Sequence, residues 1–143
     1  MHLTNYAINK ESDTFEQNRD ANKADTGHKR SLSFVLDYFD KHSSEENSMP
    51  TGDQLWQQIK EICVKTIMCG IHQIEHVYKS SKPNDLENSL CFQIFGMDIF
   101  IDSESKPWLL EVNHTPSFCT DSPLDYNIKK NVLRDTLHIL NLN

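Results

Sequence analysis

Two apolar segments in the second half of this 143-residue chain, separated by only four residues, constrain its fold more than any other feature. Residues 90–102 and 107–113 are rich in Phe, Ile, Leu and Trp, which favour strands. Residues 103–106 (SESK) have the length and composition of a hairpin turn. The pattern therefore predicts two antiparallel strands joined by a short connection.

Both predicted strands carry polar side chains on a face that is otherwise apolar. Side chains alternate along a strand, so one face of the first strand comprises Phe92, Ile94, Gly96, Asp98 and Phe100. In the second strand, Glu111 and Asn113 share a face with Leu109. Carboxylates are thus expected where an apolar core would otherwise be.

The register of the hairpin decides whether these acids meet. A turn centred between Glu104 and Ser105 places Asp98 directly opposite Glu111, with Asn113 one diagonal step from Asp98. Like charges that face each other across a strand pair are destabilising, and burying an unpaired carboxylate costs several kcal/mol. A cation between them removes both costs, and two carboxylates with one amide oxygen suit Mg²⁺. The alternatives are surface acids paired with lysines, or a one-residue slip that reverses the faces.

The rest of the chain is predicted to be mostly helical. Residues 1–8 alternate weakly and suggest a short strand, and a long polar loop follows. Ser31 is placed to cap a helix whose apolar residues recur with helical spacing. Residues 53–79 form the longest periodic segment, interrupted by Gly70; it is either a core helix or a partner-binding amphipathic helix.

A final helix is predicted from its start signals. Ser122 suits the N-cap, Pro123 the first helical position, and Asp125 follows three residues after the cap. Apolar residues then recur with helical spacing as far as Leu140. Helices together with an antiparallel hairpin predict an α+β fold, with antiparallel strands packed against helices.

The charge of the chain excludes some classes of function. Its formal net charge is −7, and no basic stripe is present, which argues against nucleic-acid and anionic-membrane partners. No run approaches the roughly 18 apolar residues of a membrane span, and no signal sequence is evident at residues 1–10. The four cysteines form no C-x-x-C pair and are expected to be buried, reduced thiols of a cytosolic protein.

Three segments together resemble the tubulin tyrosine ligase-like family. Residues 2–10 (HLTNYAINK) resemble its H-L-T-N-Y segment, and residues 27–32 (GHKRSL) resemble its G-x-K segment. Residues 95–98 (FGMD) and 107–113 (PWLLEVN) resemble its metal-binding hairpin. The segments occur in the family's order and cover nearly the whole chain. The resemblance implies that residues 1–143 are the carboxy-terminal part of an ATP-grasp catalytic domain and that this part is incomplete by itself.

The resemblance also implies roles for individual residues. Asp98, Glu111 and Asn113 are the implied catalytic residues, because they would coordinate the Mg²⁺ that bridges the phosphates of ATP. Lys29 is expected to hold the carboxylate of the incoming amino acid, and Tyr6 is expected to line the same pocket. The implied nucleotide-binding residues are His2, Leu3, Thr4 and Asn5.

One histidine narrows the subgroup. Residues 113–118 (NHTPSF) resemble the N-H-S-P-S-F form of chain-elongating polyglutamylases, with Thr115 in place of serine. Members that start chains tend to carry an apolar residue at the position of His114. His114 is therefore assigned to substrate binding. The alternative is a loop histidine that caps backbone groups.

The implied activity is an ATP-dependent protein–glutamate ligase acting on tubulin. ATP would phosphorylate a glutamate side chain of the acidic tubulin tail, or the end of a growing polyglutamate chain, and free L-glutamate would attack the acylphosphate. Such sites work mainly by positioning and charge neutralisation. The resemblance places the protein in the cytoplasm, on the cytoskeleton, including the cilium or basal body. Initiation or elongation, the tubulin isotype and non-tubulin acceptors stay open. The alternative function is a catalytically inactive remnant that binds tubulin or another partner.

Overall fold

The computed structural model describes residues 6–9, 11–17, 27–44, 48–87 and 90–142, except for the side chains of Tyr6 and Ala7. Its elements in chain order are α1 (Tyr6–Asn9), α2 (Leu32–His42), α3 (Gly52–Ser81), β1 (Gly96–Ile101), β2 (Pro107–Asn113) and α4 (Pro123–Ile139). The strands β1 and β2 form a two-stranded antiparallel sheet. The mixture of helices and antiparallel strands confirms the predicted α+β class.

The chain divides into two compact units. Residues 1–35 and 118–143 form the first, called here the terminal unit. Residues 36–117 form the second, called the central unit, which contains α3 and the hairpin.

The predicted starts of α2 and α4 are confirmed. The hydroxyl of Ser31 accepts a hydrogen bond from the backbone N–H of Phe34 at 3.1 Å. The hydroxyl of Ser122 accepts one from the backbone N–H of Asp125 at 3.1 Å, and Pro123 is the first helical residue. Each hydroxyl satisfies a donor of the first helical turn that has no partner within the helix.

A capping box that the sequence prediction missed starts α3. Thr51 accepts a hydrogen bond from the backbone N–H of Gln54 at 3.3 Å, and the Gln54 side chain accepts one from the backbone N–H of Thr51 at 2.9 Å. The T-x-x-Q spacing is visible in the sequence and was the available signal. Helix α3 runs unbroken for 30 residues, so Gly70 interrupts the apolar stripe of the sequence but not the helix.

The apolar core of the central unit lies where α2 meets the first turns of α3. Among the described residues, the buried apolar side chains are Phe39, Leu55 and Ile59. The two helices approach so closely at Gly52 that a Cβ atom there would lie 2.6 Å from the carbonyl oxygen of Leu36. Strand β2 also packs against α3, which attaches the hairpin to this core.

The hairpin turn is centred on Glu104 rather than between Glu104 and Ser105. The backbone N–H of Ser105 donates to the carbonyl of Asp102 at 3.0 Å, and that of Asp102 donates to the carbonyl of Lys106 at 3.0 Å. Ser105 has a φ of 65°, the left-handed conformation that closes a three-residue hairpin loop. The predicted centre between Glu104 and Ser105 is therefore wrong.

A β-bulge restores the predicted pairing. From the turn, the pairs run as far as Ile99 opposite Leu109, and the register then shifts so that Asp98 lies opposite Glu111. Leu110 is the extra residue of the bulge. The shift corrects one prediction. Leu109 lies opposite Ile99, so it belongs to the other face of the sheet from Glu111.

Several sequence predictions differ from the structure. Residues 6–8, predicted to end a strand, lie in α1, and the first hairpin strand begins at Gly96 rather than at residue 90. Three of the cysteines predicted to be buried are exposed, and Cys63 is partly exposed. Helix α4 has no buried residue. None of the described helices is both long and apolar enough to cross a membrane.

Candidate functional site

The hairpin of the central unit brings together the three side chains predicted to bind metal. Asp98 on β1 and Glu111 on β2 are directly opposite each other. Asn113 lies two residues beyond Glu111, and its side-chain N–H donates to Glu111 Oε1 at 3.0 Å. Asp98, Glu111 and Asn113 therefore form one continuous polar cluster, called here the acid cluster.

The acid cluster holds like charges in close contact. Burial raises the pKa of Asp98 above its usual range, and the negative charge and hydrogen bond of Glu111 raise it further. Either a proton or a cation would relieve the repulsion between the two carboxyl groups. The expectation of acids within an apolar core is wrong, because Asp98 and Glu111 are exposed and Asn113 is partly exposed, so the burial of Asp98 is only partial.

The donor atoms of the acid cluster fit a hard cation such as Mg²⁺. Two carboxylates and the amide oxygen of Asn113 are all oxygen donors, and Mg²⁺ typically takes one or two protein carboxylates with water and phosphate oxygens as its other ligands. In the part of the chain that the structure describes, no group of three or more His, Cys, Asp or Glu side chains is placed to hold a metal. Asn113 and external oxygens would therefore complete the coordination.

A glycine positions the amide end of the acid cluster. Gly96 pairs with Asn113 across the hairpin. A Cβ atom on Gly96 would lie 3.1 Å from Cβ of Pro116 and 3.5 Å from Cβ of Asn113. The absence of a side chain at Gly96 thus lets the segment after β2 fold back beside Asn113.

His114 follows the acid cluster directly. The residue is exposed, and its backbone carbonyl accepts a hydrogen bond from the side chain of Gln93. This bond holds the main chain of His114 near the start of β1. An exposed imidazole next to the acid cluster is compatible with the predicted contact to substrate, which stays a prediction.

A nearby acid shows what a structurally satisfied carboxylate looks like. Asp102 accepts hydrogen bonds from the backbone N–H groups of Glu104 and Lys106, both at 2.9 Å, and from Nε1 of Trp108 at 2.7 Å. The bond from Trp108, followed by the backbone bond from Lys106, lowers the pKa of Asp102. Asp102 therefore shapes the turn, whereas Asp98 faces another acid.

The terminal unit contains the lysine predicted to hold the incoming amino acid. Lys29 Nζ lies 3.1 Å from both carboxylate oxygens of Asp125 in the first turn of α4. The Ser122 hydroxyl donates to Asp125 Oδ2 at 2.9 Å. Burial acts to raise the pKa of Asp125, but the bonds from Lys29 and Ser122 and the nearby positive charges outweigh it, so the pKa is lowered. Sequence reasoning identified Asp125 only as part of a helix start.

The residues beside this lysine are tied to two other segments of the terminal unit. The backbone N–H of Glu16 donates to Nδ1 of His28 at 3.0 Å, and the backbone N–H of His28 donates to the carbonyl of Glu16 at 2.9 Å. The Gln17 side chain donates to the carbonyl of Asp121 at 2.7 Å. Three stretches of chain distant in sequence thus meet beside the ion pair.

The predicted nucleotide contacts lie outside the described residues. The residues predicted to make these contacts are His2, Leu3, Thr4 and Asn5. The backbone of Tyr6 lies in α1, but its side chain is also outside the description. Their roles stay predictions.

An open groove on the central unit involves other residues. It has a volume of about 730 Å³ and is lined by the loop before α3 and by the first turns of that helix, including Met49, Gln54 and Gln58. None of the predicted site residues lines it.

Comparison with known proteins tests the resemblance. A profile of the tubulin-tyrosine ligase family matches residues 1–142. The chain is 50% identical over 141 residues to a probable beta-tubulin polyglutamylase of Tetrahymena thermophila, covering 99% of the chain and 11% of that protein. It is 46% identical over 142 residues to human tubulin polyglutamylase TTLL6 and 36% identical over 144 residues to mouse tubulin polyglutamylase TTLL7, covering 99% of the chain and 15% of each. It therefore spans a small part of these relatives, and it belongs to the tubulin-tyrosine ligase family.

Proposed function

We propose that the polypeptide containing this chain is an ATP-dependent ligase of the ATP-grasp class that adds glutamate to tubulin tails. Its relatives are named as tubulin polyglutamylases, and this chain covers only 11–15% of those cited above. The observation that carries the proposal is the direct opposition of Asp98 and Glu111, extended by the bond from Asn113. Like charges held together in this way suit a bound cation better than they suit a stable hairpin.

In this proposal the residues of the chain bind and orient the reactants. The acid cluster would hold Mg²⁺, which supplies positive charge to the phosphates of ATP when bound. Lys29 would hold the carboxylate of the incoming glutamate. His114 would contact the substrate, and residues 2–6 would contact the nucleotide and line the amino-acid pocket.

The proposed reaction has two balanced steps. An oxygen of the acceptor carboxylate bonds to the terminal phosphorus of ATP as the bond to ADP breaks, which gives an acylphosphate. The amine of free glutamate then bonds to the acyl carbon, phosphate leaves, and the amine loses a proton. Positioning of the reactants and neutralisation of the phosphate charge together contribute most of the rate in such a site.

The proposal is tested by replacing one acid in the complete polypeptide. Glu111→Gln keeps the size of the side chain but removes its charge, and we expect ATP-dependent incorporation of labelled glutamate into tubulin to fall at least about 100-fold. Glu104→Gln is the matched control, because Glu104 is an exposed residue of the same hairpin outside the acid cluster. Normal turnover by Glu111→Gln would refute the assignment of the cluster.

The acceptor and the location follow from the same proposal. The Tetrahymena relative is named for beta-tubulin, so β-tubulin tails are the first acceptor to test. We expect the protein on microtubules of the cytoplasm, the cilium or the basal body. Transfer to unmodified tails would indicate initiation, and transfer only to tails that already carry a glutamate branch would indicate elongation, as the resemblance around His114 implies.

A further inference from the structure

The two side chains of the Lys29–Asp125 ion pair differ in their exposure to solvent. The side chain of Asp125 is 13% exposed, whereas that of Lys29 is 34% exposed. Asp125 is held by the Ser122 hydroxyl and by its place in the first turn of α4. The carboxylate is therefore the fixed partner, and the lysine reaches it along a flexible four-carbon chain.

Several groups interact favourably with the negative charge of Asp125. The Ser122 hydroxyl donates to it, Lys129 contributes positive charge, and the start of a helix favours a carboxylate. Distributing the negative charge in this way weakens its repulsion of another anion near Lys29. The same contacts prevent the carboxylate from turning away from the lysine.

We propose that Asp125 is a positioning residue that holds the Lys29 ammonium in place to receive the carboxylate of the incoming amino acid. This inference rests on the proposed function, because it takes Lys29 as the group that binds that carboxylate. Both carboxylate oxygens of Asp125 lie 3.1 Å from Lys29 Nζ, so they fix the position of the ammonium towards which an external carboxylate would be drawn. The bonds joining residues 16–17 to His28 and Asp121 keep the segments that carry this pair together.

The test measures steady-state kinetics of the complete polypeptide with free glutamate as the varied substrate. Without its anchor, the Lys29 side chain must be ordered when glutamate binds, so Asp125→Asn should raise the KM for glutamate about fivefold to tenfold. The kcat should stay within about twofold, because the lost contact acts equally in the ground state and the transition state. An unchanged or lower KM would overturn the inference.

A double-mutant cycle separates positioning from a merely structural role. In a Lys29→Met background, Asp125→Asn should leave the KM unchanged, because the lysine that it positions is gone. If Asp125 acts only by supporting α4, its replacement would raise the KM by the same factor in both backgrounds, and the inference would fail. Asp135→Asn is the matched control on the same helix, since its exposed carboxylate bonds to Arg134.

Conservative replacement keeps the test informative if Asp125→Asn fails to fold. Asp125→Glu keeps the charge but moves it by one methylene, so its KM should lie between those of the wild type and Lys29→Met. A KM equal to that of the wild type would count against a fixed position.

Failure of the proposed function would be distinguishable from failure of the role proposed for Asp125. In that case the wild-type polypeptide would transfer no glutamate. An active wild type in which Lys29→Met raises the KM and Asp125→Asn does not would overturn only the role of Asp125.

Discussion

Two aspartates of this chain lie in opposite electrostatic environments. Asp125 in the terminal unit faces a lysine and a hydroxyl donor, and its pKa is lowered despite burial. Asp98 in the central unit faces Glu111, and its pKa is raised by burial and by that second acid. The same residue type is thus stabilised as an anion in one unit and destabilised in the other.

The difference separates a carboxylate whose charge is balanced within the chain from one that suits an external ligand. The contacts of Asp125 are complete within the chain, so its charge already favours the folded state. The acid cluster has an excess of negative charge, which an external cation can offset. Reversing the charge of one side chain in the Asp98–Glu111 pair and of one in the Lys29–Asp125 pair tests this contrast directly.

The largest effect is expected from Asp98→Lys in the complete polypeptide. The change converts the like-charge pair into an opposite-charge pair and removes a proposed metal ligand, so glutamate transfer should fall by at least about 100-fold. Thermal denaturation without divalent cations should show unchanged or higher stability, because a repulsion is replaced by an attraction.

Ser103→Lys provides the control for Asp98→Lys. It places a lysine on the exposed turn of the same hairpin, outside the acid cluster, and should keep its activity. Full activity of Asp98→Lys would remove the distinction between the two aspartates.

A smaller effect is expected when the opposite-charge pair is converted into a like-charge pair. Lys29→Glu leaves Asp125 beside a second acid, and we expect a loss of about 1–2 kcal/mol of stability after discounting for partial exposure. Thermal denaturation should show Tm lowered by about 2–4 °C for each kcal/mol in a domain of 150–250 residues.

Lys65→Glu is the matched charge reversal for Lys29→Glu. Lys65 and Glu61 form an exposed pair on α3, at 3.7 Å, so that reversal should change stability by no more than about 0.5 kcal/mol. Equal losses in the two variants would show that the ion pair of Lys29 is no more important than a surface pair.

The smallest effect is expected for Asp98→Asn, and its sign depends on pH. Because the folded-state pKa of Asp98 is raised, ionisation of this group destabilises the folded protein as pH rises through that pKa. At neutral pH without metal, Asp98→Asn should therefore be more stable than the wild type, by about 0.2–1 kcal/mol before screening reduces the gain. The gain should disappear below about pH 4, where the carboxyl is protonated in both states.

Added Mg²⁺ extends the Asp98→Asn measurement. Denaturation midpoints with excess Mg²⁺ should rise in the wild type and change less in Asp98→Asn, because a ligand stabilises only the state that binds it. Equal shifts in both proteins would contradict a metal role for the acid cluster.

Much of the fold could be predicted from local patterns. The caps at Ser31 and Ser122, the helices that follow them and the hairpin depend on residues close in sequence, so short-range rules suffice. The T-x-x-Q box at Thr51 obeyed the same rules and was simply missed. Segment boundaries were less accurate, as the start of β1 at Gly96 shows.

The pairing of Asp98 with Glu111 was predicted correctly from an incorrect turn. A three-residue loop alone would have shifted the pairing by one residue, and the bulge at Leu110 cancels that shift. Alternation rules contain no information on a bulge, so the predicted common face of Leu109 and Glu111 was wrong. The extent of burial was also overestimated, because an apolar pattern does not show which faces are covered.

The sequence by itself determined the family, the α+β class and the chemical character of the acid cluster, because these depend on residue types and on spacing along the chain. Only the tertiary structure decided the partner of Lys29. Asp125 is 96 residues away in sequence, and the contact exists because the segment before α2 and the start of α4 pack together in the terminal unit. Charges that face each other across a strand pair can be predicted by counting residues from the turn. Charges brought together by packing can be identified only from the folded structure.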